Sequence, residues 1–236
     1  MLAQRLAQIP GVVAVSLGGS RAAGTHRDDS DWDFGLYYRD TIDPDDVRAL
    51  GWPGQVFAPG EWGRLVNGGA WLQVDGVSVD LIYRDLDEVL AWTAEAAQGR
   101  FEIQREVGYV AGIATYVLAG ELAINETLVG ELPRPSFPDR LRQTAPALWY
   151  RLAAGALATA EVHAVRSDRV AALANLTQAV LATAQGRLAA AGQWALNEKQ
   201  IIARAGLTDV QTLIEEIDVD ATARDLREIL DLPPWR

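Results

Sequence analysis

Two aspartates separated by one residue, Asp31 and Asp33, follow a Gly18-Gly19-Ser20 turn after a gap of ten residues. At the head of a strand, an Asp-x-Asp pair places both carboxylates on one face, with Cα atoms about 6–7 Å apart, and this spacing suits shared ligation of Mg²⁺. The turn follows an apolar strand, and such a turn offers backbone N–H groups and a hydroxyl to phosphate oxygens. A phosphate cradle beside a metal clamp indicates phosphoryl or nucleotidyl chemistry on a nucleoside triphosphate.

A third acid, Asp80, stands in the middle of a predicted strand at 77–83. The apolar residues of this strand alternate onto one face, so Asp80 points to the other face with Ser78 and Ile82. An acid among such neighbours is costly to bury unless it is paired or bound to a metal. If this strand lies beside the one that begins near Asp33, three carboxylates converge. Two of them would hold Mg²⁺, and Asp80 would take a second metal or remove the proton from an acceptor hydroxyl.

The residue types that are missing limit the chemistry. The chain has no cysteine and only two histidines among 236 residues. Disulfides, thiolate nucleophiles and zinc sites made of Cys and His are therefore excluded. A metal would be held by oxygen, which favours Mg²⁺ or Mn²⁺.

The net charge of −11 bears on the partners. Both halves of the chain carry more acidic than basic residues, and no basic block occurs anywhere. Proteins that grip a nucleic-acid backbone normally show a basic stripe, so a nucleic-acid partner is not expected. An acidic surface suits a small, cationic acceptor, although it can also serve solubility alone, and the composition leaves both explanations open.

No apolar run approaches the roughly 20 residues of a membrane helix, so we expect no membrane partner. The apolar stretch near the N-terminus runs into Gly18-Gly19-Ser20 and not into a cleavage site, which is unlike a secretory signal. The expected location is the cytoplasm.

The first hundred residues alternate strand and helix signals. Strands are predicted at 12–17, 34–38, 71–74 and 77–84, and helices after Asp43 and over 85–99. Asp43 and Pro44 indicate a helix start, because Asp caps helices and Pro fits the first helical position. Asp75-Gly76 favours the positive φ angles of a two-residue turn and therefore predicts a hairpin.

After Gly99 the strand signals nearly vanish, and segments rich in Ala and Leu predict helices at 102–122, 139–166, 168–190, 198–205, 209–217 and 221–230. Pro146 predicts a break or kink in the second of these. We therefore expect a domain boundary near residue 100. An α/β (α+β) half at 1–100 would be followed by an all-α half at 101–236.

The segments 17–25 and 29–34, which contain the Gly-Gly-Ser turn and the Asp-x-Asp pair, resemble the signature of the DNA polymerase β-like nucleotidyltransferase superfamily. The small bacterial antibiotic (kanamycin-type) and minimal nucleotidyltransferases are the most similar members. The resemblance implies a catalytic domain with a mixed sheet over 1–100 and a helical-bundle domain over 101–236 that binds the acceptor. It further implies that Gly18, Gly19 and Ser20 hold the triphosphate. Asp31, Asp33 and Asp80 would be the metal-binding and catalytic acids.

Three further residues are candidates for the site. Lys199 is the only lysine among 21 basic residues, and its Asn-Glu-Lys context resembles an element of the helical domains of this superfamily. It would place a point charge on a phosphate, or else be an ordinary solvated residue at a helix start. Arg21 would help to neutralise the triphosphate, and Glu121 would act as a general base or be a surface acid at a helix end. Eight tryptophans can include a stacking platform for a base or a drug ring, but no feature of the sequence singles one out.

The leading hypothesis is therefore an enzyme that moves a nucleoside monophosphate, AMP from ATP in the first instance, to a hydroxyl of a small molecule and releases pyrophosphate. An aminoglycoside-like antibiotic is the first guess for the acceptor. One alternative is a protein-adenylylating minimal nucleotidyltransferase of the antitoxin type. Another is a non-catalytic regulator that binds nucleotide. The sequence leaves open the acceptor, the preferred base, the number of metals, the general base and the oligomeric state.

Overall fold

A computed structural model describes residues 2–22, 24, 27 and 30–212, and these form a mixed α/β structure. The strands, in chain order, are β1 (Val12–Leu17), β2 (Trp32–Tyr38), β3 (Gly54–Val56), β4 (Gly69–Val74), β5 (Val77–Asp85), β6 (Ile103–Gln104), β7 (Ile113–Ala114) and β8 (Glu126–Val129). The helices are α1 (Leu2–Leu6), α2 (Gly19–Ala22), α3 (Pro44–Arg48), α4 (Leu86–Ala97), α5 (Val117–Ile124), α6 (Asp139–Val165), α7 (Arg169–Ala190), α8 (Ile201–Arg204) and α9 (Asp209–Thr212).

Six of the strands form one mixed sheet in the order β3-β4-β5-β2-β1-β8. β2 and β5 run parallel at its centre, and each of the other neighbouring pairs is antiparallel. β6 and β7 form a separate two-stranded sheet.

Alternation along the two central strands separates an apolar face from a polar one. Phe34 and Leu36 of β2 lie with Leu81 and Tyr83 of β5 in a buried cluster on the first face. The residues between them therefore point to the opposite face of the sheet. Asp33 of β2 is among these residues, and its partner in the parallel ladder is Asp80.

Several local predictions for the first hundred residues are confirmed. The β4–β5 hairpin turns at Asp75 and Gly76, whose φ angles of 51° and 80° are the positive values that a two-residue turn of this kind needs. Asp43 caps α3 by accepting a hydrogen bond from the Asp45 N–H at 2.9 Å. Asp85 caps α4 in the same way.

The predicted helix at 102–122 is wrong. This segment contains β6, β7 and, only at its end, α5. Residues 111–120 are all buried, and such an apolar stretch shows no periodicity that separates a helix from other buried structure. Gly108 and Gly112 take φ angles of 90° and 96°, which end any helix at those positions.

The shift in composition near residue 100 does not mark the end of the main sheet. β8, which the sequence did not predict, pairs with β1 through Val15 and Val129 and through Leu17 and Glu126. The chain thus returns to the N-terminal sheet before it enters the long helices. β3 at the opposite edge was also missed.

The helices predicted at 139–166 and 168–190 are confirmed as α6 and α7, which pack against each other as an antiparallel pair. α6 continues through Pro146, where the sequence predicted a break or kink. The buried Trp149 Nε1–H of α6 donates to the Tyr116 hydroxyl at 2.8 Å and joins the helical pair to the segment before α5. In the described part of the chain, no helix has both the length and the hydrophobicity that a membrane crossing requires.

The C-terminal predictions are met in part. Of the predicted helix at 198–205 only α8 is helical, and α9 covers the beginning of the one predicted at 209–217. The rest of that segment, and the helix predicted at 221–230, lie outside the described residues.

A buried ion pair joins β5 to α5. The Arg84 guanidinium donates through Nε and Nη2 to the two carboxylate oxygens of Glu121, each at 2.6 Å, and the side chains are 6% and 16% exposed. Its remaining Nη1 donates to the Val66 carbonyl at 2.8 Å and the Tyr83 carbonyl at 3.1 Å. Such a bidentate pair fixes orientation as well as distance.

We expect Glu121→Gln to lower the free energy of unfolding by about 3–5 kcal/mol, because it leaves the buried Arg84 charge without its counter-charge. Urea unfolding followed by circular dichroism measures this change. The matched control is Glu95→Gln, which removes the carboxylate of the surface pair with Arg100 and should leave the unfolding midpoint unchanged. Equal midpoints for the two variants would contradict this role for the buried pair.

Candidate functional site

The register of the two central strands brings Asp33 and Asp80 side by side. They are direct partners in the β2–β5 ladder, and both point away from the apolar cluster. Neighbouring strands are about 4.8 Å apart, so the two carboxylates leave the same face of the sheet from adjacent strands. The predicted neighbourhood of these strands is confirmed, whereas the chemical roles of the two acids stay predictions.

The Gly18-Gly19-Ser20 turn lies directly against the Asp33 side chain. A Cβ atom added at Gly19 would overlap the Asp33 carboxylate, and Gly19 also has a φ of +62°. Both facts require glycine at this position. The Gly18 N–H donates to the Asp33 carbonyl at 2.8 Å, so the sheet uses this donor, which the sequence had suggested for phosphate. The N–H groups of Gly19, Ser20 and Arg21 begin α2, and N–H groups at that position lack an intrahelical acceptor.

Arg21 holds the segment that carries Asp31. Its Nη2 donates to the Ser30 carbonyl at 2.6 Å and its Nε donates to the Asp31 carbonyl at 3.3 Å. The guanidinium also lies over the Trp32 ring, 4.3 Å from the ring centroid. The tryptophan between the two acids thus has a positioning function that the sequence did not reveal, because it stacks on the arginine that holds Asp31 in place.

Burial and a neighbouring acid make Asp33 costly to ionise. The pKa of its carboxyl is raised, first by burial and also by the Asp31 charge, while Lys199 and Arg21 act in the opposite direction. Lys199 therefore lies within electrostatic reach of Asp33, although 166 residues separate them in the chain. A further cation placed against this carboxylate would relieve the same cost.

The Asn-Glu-Lys element brings Lys199 to this place through its two preceding residues. The Asn197 Oδ1 accepts a hydrogen bond from the Lys199 N–H at 2.9 Å and forms a tight turn. The Glu198 carboxylate accepts from the Val110 and Ala111 N–H groups at 2.9 and 2.8 Å. Each member of the element thus has a separate function: Asn197 shapes the turn, Glu198 anchors it, and Lys199 supplies a charge.

Glu121 lies on the same face of the sheet but is committed elsewhere. Both of its carboxylate oxygens accept from Arg84, which stands four positions after Asp80 on β5. This geometry does not favour Glu121 as the general base that the sequence suggested.

The acids suit an ion that is shared with a substrate. Among the described residues, no three His, Cys, Asp or Glu side chains are gathered as a ligand set for a metal ion. Mg²⁺ is commonly bound by one or two carboxylates together with substrate phosphates, so a preformed protein cage is not required. The all-oxygen character of Asp31 and Asp33, and the unfavourable burial of the Asp33 charge, fit Mg²⁺ or Mn²⁺ in this shared arrangement.

The sequence missed Trp71 as a neighbour of the acids. Trp71 of β4 is the direct partner of Asp80 across the β4–β5 hairpin. A signal for this contact was present, because a two-residue turn at Asp75-Gly76 sets the register that pairs Trp71 with Asp80. His26, one of the two histidines, lies outside the described residues.

No protein-family model and no curated protein sequence matches this chain.

We expect Asp33→Asn to raise the Tm at pH 7 in the presence of a chelator. A carboxyl whose pKa is raised in the folded state stabilises the fold when protonated, and this contribution is lost as the pH rises through the folded-state pKa. The neutral amide removes the cost of the ionised form, so its advantage should narrow as the pH falls toward 4. Calorimetry at several pH values measures this trend. The control is Asp75→Asn in the exposed hairpin turn, and a lower Tm for Asp33→Asn than for this control at pH 7 would contradict the expectation.

Proposed function

We propose that this protein is a Mg²⁺-dependent nucleotidyltransferase that transfers a nucleoside monophosphate, AMP from ATP in the first instance, to a hydroxyl of a small molecule. One observation carries the proposal: Asp33 and Asp80 lie side by side on parallel strands, with the Gly19 turn packed against Asp33. This arrangement supports a nucleotidyltransferase-like N-terminal fold. Mn²⁺ would serve as a substitute ion.

The donor would bind between the Gly-Gly-Ser turn and Lys199. The N–H groups of Gly19 and Ser20 and the Ser20 hydroxyl offer hydrogen bonds to phosphate oxygens. Lys199, held near Asp33 by Asn197 and Glu198, adds a point charge that offsets part of the charge on the triphosphate. Arg21, tied to the 30–31 carbonyls and stacked on Trp32, would act by positioning Asp31.

The acids would divide the chemistry between them. Asp31 and Asp33 would hold Mg²⁺ together with phosphate oxygens, and the bound ion would stabilise charge on the triphosphate. Asp80 would accept the proton of the acceptor hydroxyl while the hydroxyl oxygen forms a bond to the α-phosphorus. The bond from that phosphorus to the bridging oxygen breaks, and pyrophosphate leaves with the electron pair.

The proposed acceptor is a small molecule. The net charge of −11 and the absence of a basic block favour a small, cationic compound over a nucleic acid. An aminoglycoside-like antibiotic is therefore the first acceptor to test.

The test is pyrophosphate release from ATP and Mg²⁺ with a panel of aminoglycosides, with the product identified by the mass of an added AMP group. We expect release with at least one acceptor, and a loss of about a hundredfold or more in the Asp31→Asn/Asp33→Asn variant, because the charge that holds the ion is removed. The control Asp75→Asn makes the same chemical change in the exposed hairpin turn and should retain full activity. Equal release from the double variant would rule out the assignment.

We expect Lys199→Met to raise the KM for ATP by roughly tenfold, because a charged hydrogen-bond donor to phosphate is lost. Lys199→Arg keeps the charge and should recover part of this loss. Steady-state kinetics with ATP as the varied substrate measures the change. An unchanged KM in the Met variant would show that Lys199 does not contact the donor.

A further inference from the structure

A groove of about 470 Å³ is lined in part by β4, the strand next to the one that carries Asp80. Two tryptophans, Trp62 and Trp71, line it together with the segment 104–108. One of these tryptophans, Trp71, is the ladder partner of Asp80. The volume falls within the range of small-molecule sites, and it is too small for a folded partner.

The wall of the groove is a stacked aromatic pair. The rings of Trp62 and Trp71 have their centroids 5.1 Å apart at an interplanar angle of 20°, and Phe57 packs against both. The Trp62 ring lies over Gly69 of β4, where an added Cβ would be 2.9 Å from a ring carbon. Both tryptophans are only partly buried, so the pair presents apolar surface to the groove.

The loop that carries Trp62 is held in place by hydrogen bonds within the protein. The Glu106 carboxylate accepts from the Leu65 and Val66 N–H groups at 2.5 and 2.9 Å. The buried Arg84 donates to the Val66 carbonyl from the other side. A ligand would therefore meet a preorganised wall and would not have to order it.

The charged residues of the groove balance one another. Glu61 and Glu106 line it together with Arg64 and Arg105. Its own charges thus give no strong preference for a cation or an anion. The stacked tryptophan rings are therefore the feature of the groove that would select among ligands, and they favour a ligand with a flat or apolar ring face.

The order of the strands places this groove on the side of the acids where an acceptor must arrive. Across the sheet the strands lie in the order β1, β2, β5 and β4. The Gly-Gly-Ser turn at the end of β1 is therefore on one side of Asp33 (β2) and Asp80 (β5), and Trp71 (β4) is on the other. In phosphoryl transfer the attacking and leaving oxygens lie roughly in line through the phosphorus. If pyrophosphate leaves at the turn, the attacking hydroxyl approaches from the side of β5 and β4.

We propose that this groove is the acceptor subsite and that it binds a ring-bearing hydroxyl compound, such as a glycoside, with a ring stacked on Trp62 and Trp71. The proposal rests on the proposed function, because it takes the direction of attack from it. The stacked ring would bring its hydroxyl beside Asp80, which would accept the proton.

The test measures binding without turnover. Kanamycin A, streptomycin and lincomycin serve as ring-bearing probes, each titrated calorimetrically into protein with Mg²⁺ and a non-hydrolysable ATP analogue. We expect at least one probe to bind, and Trp62→Ala to weaken its affinity by roughly three- to tenfold. The control Trp52→Ala removes a tryptophan that packs on the opposite face of the sheet under Arg5, and it should bind as wild type does.

A second variant keeps the proposal testable if Trp62→Ala fails to fold. Val107 lines the groove and is 72% exposed, so Val107→Arg narrows the groove without disturbing buried packing. We expect this variant to weaken the same probe and to leave the affinity for the ATP analogue unchanged.

Any one of three results would overturn the proposal. The first is that no ring-bearing probe binds the wild-type protein, and the second is that both groove variants bind the probe as wild type does. The third is that Trp62→Ala lowers the affinity for the ATP analogue and not the affinity for the probe. The last result would assign the aromatic pair to the nucleobase. Failure of the proposed function is a different result, namely no binding of the ATP analogue or no pyrophosphate release with any acceptor.

Discussion

The parallel pairing of β2 with β5 is the constraint on which the rest of the structure depends. The pairing puts the apolar residues of both strands on one face, where they form the main core. A slip of one residue would turn Asp33 or Asp80 into that core, at a cost that a small protein cannot offset. Packing on one face of the sheet thus secures the register of the acids on the other face.

Two groups of charged residues on the face of the sheet that carries Asp33 and Asp80 differ in how far their charges are compensated. Arg84 and Glu121 neutralise each other with full hydrogen bonding, and they tie β5 to α5. Asp33 instead lies near the like charge of Asp31, and burial together with that charge raises the pKa of its carboxyl, while Lys199 and Arg21 act in the opposite direction. Sites that bind a ligand or a transition state commonly accept such a cost in stability, which the bound species later relieves. The contrast separates a structural pair from a candidate functional one.

The success of the sequence predictions follows the range of the interactions involved. The caps at Asp43 and Asp85 and the turn at Asp75-Gly76 were predicted, because each depends on residues that are neighbours in the chain. The helix at 102–122 was predicted wrongly, because residues 111–120 are all buried and carry no periodicity, and because Gly108 and Gly112 take positive φ angles that end a helix. β8 was missed for a related reason, since a short edge strand owes its conformation to its partner β1.

The sequence by itself identified the candidate acids and the glycine turn. Its two-residue turn at Asp75-Gly76 also implied the pairing of Trp71 with Asp80, although that consequence was not drawn. Only the tertiary structure decided that β5 lies parallel to β2, that Lys199 lies within electrostatic reach of Asp33, and that Glu121 is held by Arg84. The physical reason is that a turn or a helix cap depends only on the conformations and hydrogen bonds of a few neighbouring residues. The pairing of distant segments is set by which apolar faces can be buried together, and this depends on the whole chain.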